Sequence, residues 1–410
     1  MNAIDETPGQ PYDPGARRDT PLARKLKERL RERNFLAMSS FVDSCLNDEE
    51  HGYYQTRDVI GRTGDFTTAP EISQIFGELI GLWCAVVWQQ MGSPANLTLV
   101  ELGPGRGTLM KDALRATAMV PGFHDALSIV LVEHSARLRA AQSRALAESR
   151  CPIDWMDDYR HLFDSNAVSP DRAAILIANE FFDALPSSTL ACHHRWDEDR
   201  DQNIWLAKGI ALDGDRLAEC ATTCPHAIEG SLGGPGDEQA RRRNARFPDA
   251  RPGDIYIEQD FSPCAEVLSR FDCAAALVID YGHTEPTLGD TLQAVRNHHF
   301  EHPLTSPGEA DLSYQVGFGE MAETLQGQGL AVDGPVTQAE FLGALGLAER
   351  ASRLMAANPA RAHDIETAAL RLVAPNAMGT RFKALGVRSP GLPALPGLPP
   401  EEIRPQRTGQ

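Results

Sequence analysis

The chain of 410 residues lacks any apolar run long enough to cross a bilayer, although 42% of its residues are hydrophobic. Such a chain is expected to bury its apolar side chains in a packed, soluble protein without a membrane span. Its first residues include Asp5 and Glu6 and no apolar signal-peptide core, which argues against a secretory signal and an Arg-rich transit peptide. We therefore expect a cytoplasmic location.

The sequence also lacks regular C-x-x-C pairs among its eight cysteines. Scattered cysteines fit reduced thiols better than a disulfide framework. Cys192, His193 and His194, with Cys220 and Cys224, have the residue types of a zinc site, but neither group has zinc-finger spacing. We predict no metal site.

Positive charge is scarce, since the formal net charge is −18 and the run 241–243 is the only tight arginine cluster. This excess of negative charge repels phosphate backbones, so we predict no nucleic-acid partner. The same field favours a basic substrate surface, such as a protein segment that carries an arginine. A small-molecule acceptor is the alternative, and a homodimer is left open.

The most informative segment that is present is a predicted strand, 97–102, followed by a glycine-rich loop and a predicted helix, 109–119. Glycine lets the backbone approach a ligand closely, and open α/β sheets bind nucleotides where a strand turns into a helix. We predict that this segment binds the cofactor through Glu101, Gly103, Pro104, Gly105, Gly107 and Thr108.

The spacing of this loop narrows the cofactor. A dinucleotide fingerprint needs G-x-G-x-x-G, whereas here the third glycine comes one residue early and Thr108 stands at the fingerprint position. The Glu101 carboxylate suits a cationic ligand and opposes a diphosphate. Both features favour S-adenosyl-L-methionine, and an oxidoreductase stabilised by nicotinamide nucleotides is the alternative.

A second predicted strand, 128–133, ends in Glu133. An acid at such a strand end can accept both ribose hydroxyls of an adenosine. Its distance from the glycine loop exceeds the usual ~20 residues. We predict that Glu133 binds the cofactor, with an ordinary solvated strand end as the alternative.

Two further predicted strands, 173–178 and 274–279, also end in polar residues: Asn179 and Glu180 after the first, Asp280 after the second. In a doubly wound sheet these ends lie beside the glycine loop, where the transferred group should be. We predict that Glu180, and second Asp280, orients a guanidinium and receives its proton, next to Asn179. Asp183 is a further possible partner of a basic acceptor.

Other readings of these segments stay open. The alternative for residues 179–186 is purely structural: the polar residues cap the start of a helix and the phenylalanines pack into the core. An acceptor with a hydroxyl or carboxylate would make His283, His298 or His299 a more natural base.

The loop 61–71 is dense in Gly, Asp, Thr and Pro. Asp65 and Thr68 can hold the polar end of a ligand. Helix capping is the alternative, because Thr67 or Thr68 before Pro70 and Glu71 is a good start signal.

The chain divides by composition into five parts. We predict an N-terminal extension with a charged helix (1–34), a helical cap with a cofactor loop (35–96), a core (97–190 and 253–386), a partly β insertion (191–252) and a disordered Pro/Gly-rich tail (387–410).

The ordered blocks of this sequence resemble those of the MidA family, over about residues 35 to 385. They include Gly64-Asp65-Phe66, Ala69-Pro70-Glu71-Ile72-Ser73, Glu101-Leu102-Gly103-Pro104-Gly105-Arg106-Gly107-Thr108, Asn179-Glu180-Phe181-Phe182-Asp183-Ala184-Leu185-Pro186, Asp280-Tyr281-Gly282 and Gly289-Asp290-Thr291-Leu292-Gln293. The family contains the mitochondrial arginine methyltransferase that helps to assemble respiratory complex I.

The resemblance implies a class I methyltransferase (Rossmann-like) α/β fold, with a seven-stranded, mostly parallel sheet, N-terminal helices and inserted α+β additions. It implies that Gly64, Asp65, the loop 103–107 and Glu133 hold S-adenosyl-L-methionine, and that Asn179, Glu180 and Asp280 line the transfer site. The implied activity is symmetric dimethylation of an arginine in a complex I subunit.

The sequence departs from the family pattern at Thr189, Ser313 and Gly317, in segments that we assign to acceptor recognition. Two alternatives follow. The chain could be a diverged methyltransferase with another protein or a small molecule as acceptor, or a cofactor-binding assembly factor with little or no catalysis.

Overall fold

The computed structural model describes residues 12–56, 68–164, 168–197, 200–222 and 238–400. The strands are β1 (Leu36–Ala37), β2 (Leu97–Leu102), β3 (Leu127–Val132), β4 (Ile153–Met156), β5 (Ala173–Asn179), β6 (Ser188–Asp197), β7 (Arg200–Asp213), β8 (Arg216–Thr222), β9 (Ile255–Glu258), β10 (Cys273–His283), β11 (Gln293–Arg296), β12 (His299–Glu301), β13 (Asp311–Ser313), β14 (Val316–Gly317), β15 (Ala331–Thr337) and β16 (Phe382–Arg388).

The helices are α1 (Pro21–Arg33), α2 (Met38–Asn47), α3 (Tyr53–Thr56), α4 (Ala69–Ile72), α5 (Gln74–Gln90), α6 (Thr108–Thr117), α7 (Phe123–Ala126), α8 (Ala136–Ala145), α9 (Glu238–Arg246), α10 (Ser262–Ser269), α11 (Phe318–Gly327), α12 (Gln338–Ala344), α13 (Leu347–Ala357) and α14 (Ala362–Val373). Short 3-10 turns lie at Tyr159–Asp164, Phe182–Ala184 and Pro359–Arg361.

The central sheet has the strand order β15-β16-β10-β5-β2-β3-β4, and β14 pairs with the end of β10. Strands β10, β5, β2, β3 and β4 run parallel to one another. Only β16 on this path is antiparallel to its neighbours, β10 and β15. The predicted α/β fold with a mostly parallel sheet is confirmed; the main path has the seven predicted strands, and β14 adds an eighth.

The middle strands are buried on both faces, as expected for parallel strands covered by helices. In β2, Leu97 and Leu99 pack into the hydrophobic core that contains α5 and α6. Val100 and Leu102 pack into the core on the other face, against α10 and α11. Because side chains alternate along a strand, Glu101 lies on the face of α5 and α6.

The same alternation separates the polar residues at the ends of β5 and β10. Ile279 pairs with Asn179 in the parallel register, so these two side chains share the face of α5 and α6. Asp280 points to the opposite face, whereas Tyr281 returns to the face of Asn179.

A second, antiparallel sheet has the order β1-β7-β6-β9, with β8 also paired to β7. Helices α1 and α2 and the small sheet β12-β11-β13 share one hydrophobic core with it. The predicted insertion boundaries, 191 and 252, cut through this sheet, because β6 begins at Ser188 and pairs there with β9. The sheet thus takes strands from both sides of the predicted insertion, and the insertion boundaries stay a prediction.

The prediction of a disordered tail from residue 387 is wrong for the described part of it. Arg388 belongs to β16, and the segment after it contributes Leu395 and Leu398, which are 2% and 4% exposed, to the hydrophobic core that contains α5. The Trp83 indole donates a hydrogen bond of 3.1 Å to the carbonyl of Pro396. Two buried leucines and this hydrogen bond anchor the segment, although Pro390, Pro393 and Pro399 stay exposed.

The described helices include none with the length and apolar character that a membrane span requires.

Candidate functional site

The glycine loop joins β2 to α6 at the carboxyl edge of the sheet. Gly103, Gly105 and Gly107 have φ angles of 59°, 54° and 80°, in the left-handed region that residues with a Cβ rarely adopt. A Cβ on Gly103 would lie 3.0 Å from Cδ2 of Phe181. The Gly107 amide donates to the carbonyl of Pro104 at 2.8 Å. The loop is therefore a fixed turn with little side-chain bulk, against which a ligand can lie.

Thr108, the first residue of α6, contacts the preceding segment. Its hydroxyl donates to Oε1 of Glu71, in α4, at 2.5 Å. Thr68 is the N-cap residue of α4, although its side chain makes no capping hydrogen bond, and it lines the smaller cavity described below. Gly64 and Asp65, both predicted to bind the cofactor, lie outside the described residues.

Glu101 lies at the carboxyl end of β2 and is 3% exposed. Its Oε2 atom has no hydrogen-bond partner among the described residues. Burial raises the pKa of this carboxyl to about 8. A buried carboxylate without a partner is costly, and a cationic ligand would pair with it.

Glu133 directly follows β3 and is held by two groups. Its Oε1 accepts from the Ser135 amide at 2.8 Å, and its Oε2 accepts from the Gln142 side chain at 3.3 Å. Gln142 also donates to the carbonyl of Gly105 at 2.8 Å. Burial raises the pKa of Glu133 to about 7, against the effect of these bonds. Gln142 thus links the second acidic strand end to the glycine loop.

Glu180 follows β5 with a φ of 52°, a left-handed conformation that costs a residue with a side chain about 1–3 kcal/mol. Its Oε1 accepts from the Ala69 amide at 2.9 Å and from the Asn179 side chain at 3.3 Å. Burial raises the pKa of Glu180. Oδ1 of Asn179 is buried and has no hydrogen-bond partner among the described residues. The two side chains face the cavity from one wall.

Asp280 is fully buried and contacts backbone amides instead of the cavity. Its Oδ2 accepts from the amides of Phe181, Phe182 and Asp183 at 3.2, 3.0 and 3.2 Å. Its Oδ1 accepts from the amide of Tyr281 at 2.9 Å. Burial, and then the charge of Glu180, raise the pKa of Asp280 to about 8. Asp280 therefore fixes the turn that carries Glu180, from the other face of the sheet.

Two adjoining cavities meet at the glycine loop. The smaller, of about 130 Å³, lies between the loop, α4 and the ends of β5 and β10. The larger, of about 800 Å³, extends past Glu133 towards the 3-10 turn Tyr159–Asp164. Both are lined by Tyr54, Gly103, Gly105 and Glu180. A long ligand can therefore reach from one cavity into the other across the loop.

The smaller cavity is strongly acidic. Five carboxylates and one cationic side chain, Arg106, line it among the described residues; the carboxylates are those of Glu71, Glu101, Glu180, Asp183 and Asp311. Such a site favours positively charged ligands. Metal binding is a different matter, since no group of three or more His, Cys, Asp and Glu side chains in the described residues has a suitable arrangement.

Several lining residues were missed by the sequence analysis, namely Tyr54, Tyr281 and Asp311. Tyr281 is the neighbour of Asp280, and strand alternation along β10 would have placed Tyr281 instead of Asp280 on the cavity face. Tyr54 and Asp311 carry no comparable local signal, because they come from the N-terminal helices and the small sheet.

Comparisons with known proteins agree with this geometry. Residues 79–336 match the model of a family described as "Putative S-adenosyl-L-methionine-dependent methyltransferase". "Protein arginine methyltransferase NDUFAF7 homolog, mitochondrial" of Drosophila melanogaster is 33% identical over 383 residues, 89% of this chain and 84% of the relative. The human "Protein arginine methyltransferase NDUFAF7, mitochondrial" is 30% identical over 394 residues, 88% of this chain and 82% of the relative.

A solved structure shares the fold. A Burkholderia thailandensis protein bound to S-adenosyl-homocysteine superposes with a TM-score of 0.75 at 22% identity, over 92% of this chain and 94% of that protein.

Proposed function

The chain belongs to this family of S-adenosyl-L-methionine-dependent methyltransferases, and on that premise we propose that it methylates an arginine guanidinium in a protein. The observation that carries the proposal is the acidic cavity beside the glycine loop, with its five carboxylates. A guanidinium stays protonated at physiological pH and pairs well with carboxylates. The names of the relatives support the same acceptor.

For the cofactor, we assign the backbone of Gly103, Pro104, Gly105 and Gly107 to close contact, and Thr108 to support through Glu71. We assign Glu101 to the amino group of the methionine part, since its buried oxygen needs a cation. Glu133 is assigned to the ribose hydroxyls. These residues fit S-adenosyl-L-methionine, which supplies an electrophilic methyl group on a sulfonium. Gly64 and Asp65 stay predictions that rest on the family resemblance.

For the acceptor, we assign Glu180 to orienting the guanidinium nitrogen and receiving its proton. Asn179 holds the Glu180 carboxylate in place through the 3.3 Å hydrogen bond. We assign Asp280 to positioning, because it binds the backbone of the turn and does not line the described cavities. This differs from the role predicted for it from the sequence.

The histidines considered for a small-molecule acceptor lie elsewhere. His283, His298 and His299 line neither of the two cavities among the described residues. Nδ1 of His283 lies 2.8 Å from the carbonyl of Glu285. This arrangement favours a carboxylate, Glu180, over an imidazole as the proton acceptor.

The proposal extends to symmetric dimethylation of a complex I subunit, which the family resemblance implies. The protein is to be incubated with radiolabelled S-adenosyl-L-methionine and a lysate of its own organism, and the label located by mass spectrometry. We expect symmetric dimethylarginine in a protein. Label on a small molecule or on another residue type would contradict the acceptor, and cofactor binding without any transfer would favour the assembly factor.

The location is also a proposal. The sequence predicts a cytoplasmic protein, whereas the animal relatives are named mitochondrial. Fractionation of the source cells, followed by immunodetection, distinguishes the two.

A further inference from the structure

Asp183 and Asp311 line the smaller cavity together with Glu180, although they come from distant parts of the chain. Asp183 lies in the 3-10 turn Phe182–Ala184 that follows β5, and Asp311 begins β13 in the small sheet. The central sheet supplies Glu180, whereas Asp311 comes from the small sheet β12-β11-β13, which we call the accessory layer. The cavity is therefore closed by carboxylates from two structural layers.

Hydrogen bonds hold the accessory layer against the ends of the central strands. The Tyr314 amide donates to the carbonyl of Asp183 at 2.8 Å. The Tyr281 hydroxyl donates to the Ser313 hydroxyl at 2.7 Å, and the Tyr54 hydroxyl donates to Oδ1 of Asp311 at 3.1 Å. These contacts join β13 to the ends of both β5 and β10. The position of the Asp311 carboxylate is thus set by the fold.

Electrostatics indicate what this wall binds. Burial raises the pKa of Asp183 well above its ordinary value, and Asp280, Glu180 and Asp311 raise it further through repulsion. Glu101, at 3% exposure, lines the same cavity and has an oxygen without a described partner, which is assigned above to the amino group of the cofactor. On the acceptor side, Asn179 also lines the cavity and has a buried Oδ1 without a described partner. A cavity of about 130 Å³ has about ten times the volume that one water needs. It has room for a cationic group.

We propose that Asp183 and Asp311 are specificity residues that bind the edge of the guanidinium away from Glu180. The inference rests on the proposed function and deepens it. A guanidinium is planar and carries five N–H donors that point in fixed directions, so carboxylates on different walls can each receive a donor. An ammonium concentrates its charge at one point, and a neutral acceptor leaves the buried carboxylates unpaired.

The test measures binding, by calorimetry with S-adenosyl-homocysteine present. The probes are N-acetyl-arginine methylamide, its neutral citrulline counterpart and its lysine counterpart. We expect the arginine compound to bind the wild type at least about tenfold more tightly than the other two. Asp311→Asn should weaken binding of the arginine probe about tenfold and so lower the ratio of arginine affinity to citrulline affinity. The affinity for S-adenosyl-homocysteine should not change.

Two variants accompany Asp311→Asn. Asp183→Asn removes the other carboxylate and should narrow the same ratio, which keeps the inference testable if Asp311→Asn fails to fold. Asp290→Asn is the matched control, since Asp290 pairs with Lys208 at 2.6 Å outside the cavity lining. It should leave all three affinities unchanged.

The outcomes separate this inference from the proposed function. If the wild type methylates arginine and both cavity variants keep the wild-type affinity for the arginine probe and the wild-type ratio of arginine to citrulline affinity, the inference is wrong and the function stands. If the wild type binds lysine as tightly as arginine, the inference is also wrong. If label never reaches arginine in the lysate experiment, the proposed function fails whatever the affinities are.

Discussion

The cofactor side and the acceptor side of the site are built in different ways. The described part of the cofactor side comes from one continuous stretch, β2 to α8, in which glycines with positive φ and two strand-end acids lie close in sequence. The acceptor side combines α3, the ends of β5 and β10, and β13, which span residues 53 to 313. The cofactor side depends mainly on local backbone conformation. The acceptor side depends mainly on carboxylates that the fold brings together from distant parts of the chain. Substitutions should therefore separate binding of the cofactor from use of the acceptor.

The largest effect is expected on the cofactor side. Gly105→Val places a branched side chain at a φ of 54°, so we expect the free loop to leave this conformation. Regaining it on binding would cost roughly 2–3 kcal/mol, which corresponds to about 100-fold in affinity. Calorimetry with S-adenosyl-homocysteine measures it. The matched control is Gly214→Val, with a φ of 61° and no neighbour within 4 Å of the added Cβ. Equal affinity of the Gly105→Val variant and the control would refute a cradle made by the loop.

On the acceptor side, Glu180→Gln should lower kcat by about 10²–10⁴-fold, because the amide cannot receive the proton. The affinity for S-adenosyl-homocysteine should not change. Glu266→Gln, at an exposed position in α10, is the control for loss of a charge. If Glu180→Gln lost affinity for the cofactor and kept its kcat, Glu180 would belong to the cofactor side and the proposed division of the site would be wrong.

Asp280→Asn tests a positioning residue between the two sides. The amide can replace only one of the two carboxylate oxygens that accept from the backbone, so we expect a loss of about 1–3 kcal/mol in the free energy of unfolding. Urea denaturation measures this loss. Asp272→Asn is the control, because Asp272 is exposed and directly precedes β10, the strand that carries Asp280. A variant with full stability and no activity would instead place Asp280 in the chemistry.

The smallest effect is a dependence of stability on pH. The pKa of Glu101 is raised to about 8 by burial, so the stability that its protonated form contributes is complete below the ordinary pKa and is lost as pH rises towards and through 8. Without cofactor, Glu101→Gln should melt ~2–5 °C above the wild type at pH 8.5, and no higher than the wild type at pH 4. The same variant should bind S-adenosyl-L-methionine more weakly. A pH-independent difference would contradict the buried, unpaired carboxyl.

Much of the fold could be predicted from the sequence, because the strands that carry the site are short apolar runs with a polar residue at or next to their carboxyl ends. Leu97–Leu102 and Ala173–Asn179 are buried along nearly their whole length. Asp280 was predicted from its residue type at a strand end, whereas alternation along β10 places Tyr281 on the cavity face. The tail was misjudged because composition was weighed and the two leucines, Leu395 and Leu398, were not.

The sequence by itself determined the strand–glycine–helix turn and its acidic neighbours, because the conformation of such a turn depends on residues close in sequence. It also determined the family, because the family is defined by ordered sequence blocks. Only the tertiary structure decided which carboxylates share a cavity. Asp311 meets Asp183 across more than a hundred positions of chain because β13 docks on the ends of β5 and β10. Electrostatic coupling depends on distance in space, and that distance is set by packing between layers that no local pattern records.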